Sequence, residues 1–238
     1  MKLGLIGYPI AHSRSPRLFA EAYPGGEHTY ELIDEADFEK AYNTFLGGYD
    51  AVNVTMPFKE LAYWRCTPGS EAVNHIKAVN ILKKAADGRI LGFNSDYLGV
   101  LEILRGENPA GRRLLVVGSG GAAKAAAVAA EEAGFAVTMT NRSFEKCHAF
   151  VRHCSLPLEA AEMKGLDITP FSHIIYAVPA PVAQLQEWDF AGRTVMEANY
   201  ANPCLEDKCR REGARYISGL AWLQAQADTG YKIMLSTL

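Results

Sequence analysis

Side chains able to bind, orient and protonate a small molecule recur in the first hundred residues, beside turns or at the ends of short apolar segments. They comprise three hydroxyls, two amides, an amine and a carboxylate: Ser13, Ser15, Thr55, Asn53, Asn80, Lys59 and Asp96. In an open α/β sheet, the ligand crevice lies outside the carboxyl ends of the strands. The sequence therefore predicts that these groups converge on one small polyhydroxylated molecule, which could also be anionic.

Each group taken alone also has a purely structural explanation. Ser15 can cap a helix, Asn53 can satisfy the backbone of a turn, and Lys59 can simply be solvated. We favour the binding interpretation because apolar strands seldom end in so many hydrogen-bonding side chains without a use for them.

The elements that would position these groups alternate between strand and helix patterns, which is typical of a mostly parallel α/β sheet. One helix is predicted to begin at Ser15, with Ser15 as its N-cap and Pro16 in its first turn, and a second to cover residues 37–46. Strands are predicted over residues 2–6, 28–33, 51–54 and 77–82, the last continuing through residues 89–92.

A second motif lies in the middle of the chain. The apolar segment Leu114–Val117 leads into Gly118-Ser119-Gly120-Gly121-Ala122-Ala123, and an alanine-rich segment of helical character follows. Strand, glycine-rich turn and helix in this order are typical of a dinucleotide-binding site. Gly118 allows the tight turn, Gly120 lets the backbone approach a pyrophosphate, and Ala123 allows the helix to pack closely on the strand. The helix N-terminus then offers free N–H groups to the phosphate oxygens.

The residues after the next predicted strand indicate which nucleotide is bound. This strand, over residues 136–140, ends in Asn141-Arg142-Ser143, where NAD-binding proteins usually carry an acid for the ribose 2′-hydroxyl. Arg142 and Lys146 lie about one helical turn apart and suit a 2′-phosphate instead. We therefore predict NADP(H) rather than NAD(H). Without the glycine turn, a solvated basic edge would be the preferred explanation.

The remaining elements complete a second α/β half, which begins near the polar, breaker-rich segment Gly106–Gly111. Further strands are predicted over residues 114–117, 173–177, 194–197 and 216–217, and helices over 121–133, 143–151 and 205–212.

Composition limits the classes of protein that need to be considered. The chain has 238 residues, a formal net charge of −3 and no apolar segment of transmembrane length, so neither a nucleic-acid partner nor a membrane partner is indicated. Five scattered cysteines without a C-x-x-C motif, and histidines without ligand spacing, predict reduced thiols in the cytoplasm and no metal site.

Several segments, taken in order, resemble the shikimate dehydrogenase family. The segments that carry the resemblance span nearly the whole chain: GYPIAHSRSP (7–16), NVTMPFK (53–59), AVN (78–80), GFNSDYLG (92–99), GSGGA (118–122), NRS (141–143) and GLAWLQAQA (219–227). The first two and the block around Asn94-Ser95-Asp96 are specific, whereas the glycine turn is shared with many dehydrogenases.

The resemblance implies NADPH-dependent reduction of 3-dehydroshikimate to shikimate, a step of aromatic amino-acid and chorismate biosynthesis. It implies a substrate domain (residues 1–100 with 220–238), a Rossmann-type NADP domain (residues 101–219), and a final helix, about residues 220–237, that returns to the first domain. Ser13 and Ser15 would bind the substrate carboxylate, and Lys59 and Asp96 would form the catalytic pair. The other implied substrate contacts are Asn53, Thr55, Asn80, Tyr200 and Gln226. The implied cofactor contacts are Gly118, Ser119, Gly120, Gly121, Ala122, Asn141, Arg142, Ser143, Lys146 and Gly219.

The implied catalytic pair agrees with the chemistry of ketone reduction. Hydride addition to a ketone leaves an alkoxide, which a positioned ammonium such as that of Lys59 can stabilise and protonate. Asp96 would orient the amine and share hydrogen bonds with a substrate hydroxyl. In the reverse direction Lys59 would act in its neutral form, so oxidation should be faster at alkaline pH.

Two departures from the family pattern leave alternatives open. The segment Tyr176–Pro181 (YAVPAP) stands where the family usually has Asn-Ala-Thr and a glycine-containing turn, and Ile81 stands where it commonly has threonine. We expect the chemistry to be retained, with cofactor affinity as the property open to change. The alternatives are a quinate-type or dual-specificity enzyme that uses NAD(H), and a non-catalytic NADP-binding sensor. Either a monomer or a homodimer is compatible with the sequence.

Overall fold

A computed structural model describes residues 1–237 and divides the chain into two compact units. The first unit comprises Met1–Ser95 together with the end of the chain from Asp228, and the second comprises Asp96–Ala227. Each unit contains a six-stranded sheet with helices, so the predicted α/β fold class is confirmed. The unit boundaries fall a few residues from the predicted domain boundaries, and the assignment of one unit to substrate and the other to cofactor stays a prediction.

The first sheet has the strand order β2-β1-β3-β5-β6-β4. Its strands are β1 (Lys2–Gly7), β2 (Thr29–Asp34), β3 (Ala51–Val54), β4 (Thr67–Pro68), β5 (Ile81–Lys84) and β6 (Ile90–Phe93). Strand β1 pairs in parallel with β2 and β3, and β4 with β6, whereas β5 is antiparallel to both of its neighbours. The helices in this part of the chain are α1 (Ser15–Ala22), α2 (Phe38–Gly48), α3 (Lys59–Tyr63) and α4 (Glu71–Ile76).

Two local predictions for this unit are wrong. Residues 77–92 do not form one continued strand but the hairpin of β5 and β6, whose turn is closed by a bond from Ala85 N to Arg89 O of 2.9 Å. Gly88 permits this turn because its φ is +83°. The N-cap of α1 is Arg14 and not Ser15, and no side chain caps this end. Ser13 Oγ instead accepts a hydrogen bond from Ser15 N at 3.2 Å.

Helix α2 shows why these segments fold as they do. Asp37 caps it by accepting hydrogen bonds from Glu39 N and Lys40 N. Its apolar side chains recur at helical spacing and are buried, so one face of the helix packs into the core: Phe38, Ala41, Tyr42 and Phe45.

The second sheet is parallel throughout and has the order β12-β11-β10-β7-β8-β9. Its strands are β7 (Arg113–Val117), β8 (Ala136–Asn141), β9 (Glu159–Glu162), β10 (Phe171–Tyr176), β11 (Thr194–Glu197) and β12 (Arg215–Ile217). The helices are α5 (Ser95–Leu104), α6 (Gly121–Glu132), α7 (Phe144–His153), α8 (Glu206–Glu212) and α9 (Gly219–Leu235), with a 3₁₀ turn at Ala183–Gln186. This is the 3-2-1-4-5-6 order of the Rossmann fold, which reverses direction between β7 and β10.

The final helix begins in the second unit and ends in the first. From Asp228 onward its residues belong to the first unit, where the Tyr231 ring lies edge-on to Phe19 with ring centroids 5.2 Å apart. Gly230 brings the helix close to Ser95 and Ile81, because a Cβ at Gly230 would lie 3.1 Å from Ser95 Oγ. Among residues 1–237, no helix has the length and apolar character needed to cross a membrane.

Candidate active site

The two serines predicted to bind a carboxylate lie in the turn before α1. This turn is closed by a hydrogen bond from Ser13 N to Ile10 O of 2.8 Å. The Ser13 hydroxyl donates to Ser15 Oγ at 3.2 Å, and both side chains are half-buried. The turn therefore presents two adjacent hydroxyls together, as binding of one carboxylate requires.

The two predicted amides join a hydrogen-bonded network in the first unit. Asn53, in β3, accepts from the Tyr30 hydroxyl at 2.7 Å and donates to Asn80 O at 3.2 Å. The Asn80 side chain is buried and exchanges two hydrogen bonds with Ser95, accepting from the backbone N at 2.7 Å and donating to Oγ at 3.0 Å. Because both amides have several fixed partners, their positions are determined before any ligand binds.

Thr55 and Lys59 lie on the segment that joins β3 to α3. Thr55 N donates to Ile6 O at 2.8 Å, which ties this segment to β1. Lys59 is the first residue of α3, and its carbonyl accepts from Val79 N at 2.9 Å. Both side chains are half-buried, and Phe58 between them is buried in the core. The lysine backbone is thus anchored. The position of the amine then depends only on the torsion angles of the side chain.

Asp96 and Gln226 belong to the second unit. Asp96 lies in the first turn of α5, and its carbonyl accepts from Trp222 Nε1 at 3.1 Å. Gly99 lets α5 and α9 approach each other, because a Cβ at this position would lie 2.8 Å from Gln226 N. The helix that carries Asp96 and the helix that carries Gln226 therefore cross at close range.

The glycine turn after β7 has the geometry that its motif predicts. Gly118 has φ +133°, and a Cβ there would lie 2.8 Å from Ala177 O and 3.2 Å from Ala123 Cβ. Ala123 thus fills the third small-residue position of the motif. Gly120 is the N-cap of α6, and a Cβ there would meet nothing within 4 Å, so the helix N-terminus is open to a ligand.

The loop after β8 is tied to this turn. Asn141 Nδ2 donates to Ser119 Oγ at 3.0 Å and to Ser143 O at 3.4 Å. Arg142 and Lys146 are both exposed. Two exposed cations therefore lie just before and within the first turn of α7, next to the residue that is tied to the glycine turn, where they suit a phosphate.

Four of the five cysteines have a raised pKa, which disfavours the reactive thiolate. Burial raises the pKa of Cys66 to about 12 and that of Cys147 to about 11, and the pKa of Cys204 and of Cys209 rises for the same first reason. In the described part of the chain, no group of histidine, cysteine and acidic side chains is arranged to hold a metal ion.

One relative aligns with almost the whole chain. The chain is 41% identical over 244 aligned residues, covering 96% of this chain and 88% of the relative, to the shikimate dehydrogenase (NADP(+)) of Acidiphilium cryptum. The chain belongs to the shikimate dehydrogenase family. The predicted membership is thereby confirmed, and the family model for the shikimate dehydrogenase substrate binding domain matches residues 5–82.

Solved structures of shikimate dehydrogenases agree with this assignment. The enzyme from Aquifex aeolicus superposes with a TM-score of 0.86 at 26% identity, covering 99% of this chain and 92% of that one. The enzyme from Thermus thermophilus, in complex with NADP(H) and shikimate, superposes with a TM-score of 0.84 at 26% identity, covering 100% and 93%.

The departure from the family pattern at Tyr176–Pro181 has a structural compensation. The buried Tyr176 hydroxyl donates to Ala180 O at 2.8 Å and accepts from Val182 N at 2.9 Å, and so closes the loop that follows β10. Asn199 Nδ2 holds the same loop from outside, through Pro179 O at 3.1 Å. The loop is thus fixed without the hydroxyl that the family usually carries there.

Tyr200 and Gly219 lie on two segments in close contact. A Cβ at Gly219 would lie 2.8 Å from Tyr200 N and 2.7 Å from Ala198 O. The buried Glu197 carboxylate orders the loop that carries Tyr200, because it accepts from Cys204 N at 2.8 Å and from Leu205 N at 3.2 Å. The sequence does not single out Glu197, Tyr176 or Tyr30, because each belongs to a strand and its hydrogen-bond partners follow no recognised sequence motif.

Proposed function

We propose that this protein is an NADP-dependent shikimate dehydrogenase, which reduces 3-dehydroshikimate to shikimate in aromatic amino-acid biosynthesis. The observation that carries this conclusion is 41% identity to a shikimate dehydrogenase (NADP(+)) along 96% of the chain. The local structure around the predicted site residues gives independent support, because the polar side chains are anchored and the glycine turn is open.

The first unit is assigned the substrate. Ser13 and Ser15 bind its carboxylate through their adjacent hydroxyls. The side chains assigned to its hydroxyls and carbonyl are Asn53, Thr55 and Asn80 of this unit, together with Asp96, Tyr200 and Gln226 of the second unit. Hydroxyls and amides can each donate or accept, which suits a ring that carries several oxygens in different roles.

The second unit is assigned the cofactor. The backbone of residues 118–122, at the N-terminus of the twelve-residue helix α6, holds the pyrophosphate. Arg142 and Lys146, with Asn141 and Ser143, hold the 2′-phosphate, and Gly219 lies beside the nicotinamide. The close approach of Ala177 O to Gly118 leaves no room for a Cβ, as expected where a backbone turn itself forms the phosphate cradle.

Catalysis is assigned to Lys59 and Asp96. Bound NADPH supplies the hydride that converts the ketone carbon of 3-dehydroshikimate to an alcohol carbon. The Lys59 ammonium stabilises the negative charge that develops on the ketone oxygen and donates the proton that completes the hydroxyl. Asp96 orients the amine and accepts a hydrogen bond from a substrate hydroxyl. In the oxidative direction the neutral amine of Lys59 accepts the proton, so that direction is faster at alkaline pH.

The five cysteines are free thiols, which supports the predicted location in the reducing cytoplasm. The oligomeric state assigned to the protein is a monomer or a homodimer.

The direct test is an assay that follows NADPH absorbance with 3-dehydroshikimate, together with oxidation of shikimate and of quinate by NADP+ and by NAD+. We expect turnover to be highest for shikimate with NADP+. A preference for quinate with NAD+ would contradict the proposal, and so would NADP+ binding without turnover of any of these substrates.

A further inference from the structure

We propose that Tyr30 is a positioning residue, which orients the Asn53 amide so that an N–H of Asn53, and not its carbonyl, is presented to the substrate. This inference rests on the proposed function, because it assumes that Asn53 contacts the substrate. Tyr30 lies in β2, outside every motif that carries the family resemblance.

The two partners of the Asn53 side chain determine which way the amide points. One partner is the backbone carbonyl of Asn80, 3.2 Å from Nδ2, and a carbonyl oxygen can only accept. The amide nitrogen must therefore face Asn80 O, and Oδ1 must face the Tyr30 hydroxyl, 2.7 Å away. The reversed amide would place two acceptors against each other at Asn80.

This arrangement leaves one hydrogen-bonding group of Asn53 for a ligand. Oδ1 accepts from Tyr30 and one Nδ2 hydrogen is directed to Asn80 O. The second Nδ2 hydrogen has no partner within residues 1–237. Asn53 is half-buried, so part of the residue is exposed, as contact with a small molecule requires. The side chain therefore selects for an acceptor oxygen on the substrate.

The surroundings of Tyr30 keep its hydroxyl in place and protonated. Its ring stacks on Phe19, with ring centroids 5.1 Å apart, and lies edge-on to Tyr231 at 6.4 Å. Burial raises the pKa of Tyr30 well above its usual value, so the hydroxyl remains a donor across the whole physiological range.

The test is the variant Tyr30→Phe, which removes the hydroxyl and retains the ring. We expect KM for shikimate to rise by about tenfold, the order of magnitude of one neutral hydrogen bond, with kcat and KM for NADP+ almost unchanged. Tyr23→Phe is the matched control, because Tyr23 belongs to the same aromatic cluster, 5.2 Å from Phe19 between ring centroids, and is not among the residues assigned to the substrate or the cofactor.

A double variant distinguishes positioning of Asn53 from a general structural role. If Tyr30 acts through Asn53, Tyr30→Phe should change KM for shikimate by no more than about twofold in an Asn53→Ala background. The same tenfold rise in both backgrounds would overturn the inference, and so would an unchanged KM in the single variant. If the wild type neither binds nor oxidises shikimate, the proposed function fails and this inference fails with it. An active wild type with an unaffected Tyr30→Phe variant refutes the inference alone.

Discussion

The two units build their candidate sites from different parts of the chain. In the first unit the groups assigned to substrate are side chains, linked by hydrogen bonds such as those from Tyr30 to Asn53 and from Asn80 to Ser95. In the second unit the groups assigned to the phosphates are backbone N–H groups at the glycine turn and the N-terminus of α6, beginning at Gly121. A ring with several oxygens needs varied donors and acceptors, whereas a pyrophosphate needs only donors.

This difference predicts opposite sensitivities to mutation. In the first unit, truncation of a side chain should impair substrate binding or turnover, because each side chain has a separate partner. In the second unit damage comes from adding atoms, because Gly118 and Gly219 each lie so close to other backbone atoms that a Cβ would clash.

The largest effect is expected from removing the amine in the first unit. Lys59→Ala should lower kcat by about a hundredfold to ten-thousandfold, the usual contribution of a positioned proton donor, with little change in KM. Steady-state kinetics in the reductive direction measure both constants. Lys40→Ala, at an exposed lysine on α2 of the same unit, should leave both constants unchanged. An equal loss of substrate binding and turnover, or no loss, would refute the role of Lys59.

The second effect is expected from adding a methyl group in the second unit. Gly118→Ala would place a Cβ 2.8 Å from Ala177 O at a φ of +133°, a region that costs a side chain about 1–3 kcal/mol. We expect NADP+ to bind about tenfold to a hundredfold more weakly, as measured by fluorescence titration.

Gly106→Ala is the control for this clash, because a Cβ at Gly106 would meet nothing within 4 Å and its φ is not positive. A folded Gly118→Ala variant with normal NADP+ affinity would show that the phosphates do not bind at this turn.

The same contrast explains which features could be predicted from the sequence. The glycine turn is recognisable because all its requirements lie within eleven residues, from the start of strand β7 to Ala123. Tyr30 was missed because its role depends on Asn53, 23 positions away, and on the pairing of β1 with both β2 and β3. A tyrosine in a half-buried strand looks like a core residue until its partner is known.

The hairpin of β5 and β6 was predicted wrongly, as one continued strand, for a different reason. The pair Asp87-Gly88 is a strong turn signal between two apolar segments, and Asp87 accepts from Arg89 N at 3.0 Å. The signal was present in the sequence but was outweighed by the expectation of a mostly parallel α/β alternation. Local turn chemistry was the better guide to this part of the first sheet.

A third prediction concerns the charged side chains that assist the backbone in the second unit. Arg142→Ala should weaken NADP+ binding by about tenfold, as expected for one charge-assisted hydrogen bond, and leave NAD+ binding unchanged. Arg152→Ala, at an exposed arginine in the last turn of helix α7, which follows the loop that carries Arg142, should change neither affinity. A parallel loss of NADP+ and NAD+ affinity would place Arg142 at a different part of the cofactor.

The smallest effect is expected on thermal stability. The second unit should be the more sensitive of the two to acid. His173, in β10, is buried against Glu107, 3.2 Å away, and near Arg215 and Arg112. Burial is the largest cause that lowers the pKa of His173 below its usual 6.5, although Glu107 acts in the opposite sense. The unfolded chain therefore binds a proton at His173 that the native chain does not, and the free energy of unfolding falls as pH decreases below about 6.5.

Replacing this histidine should remove that pH dependence. Between about pH 7.5 and pH 5.5 we expect the Tm of the wild type to fall by roughly 2–4 °C more than that of His173→Gln, which keeps an amide donor for Glu107. His12→Gln, at an exposed histidine of the first unit, should behave as the wild type. Hydrogen exchange at the lower pH should show that β10 opens before β1. Equal acid sensitivity of wild type and His173→Gln would show that the buried imidazole does not limit the stability of the second unit.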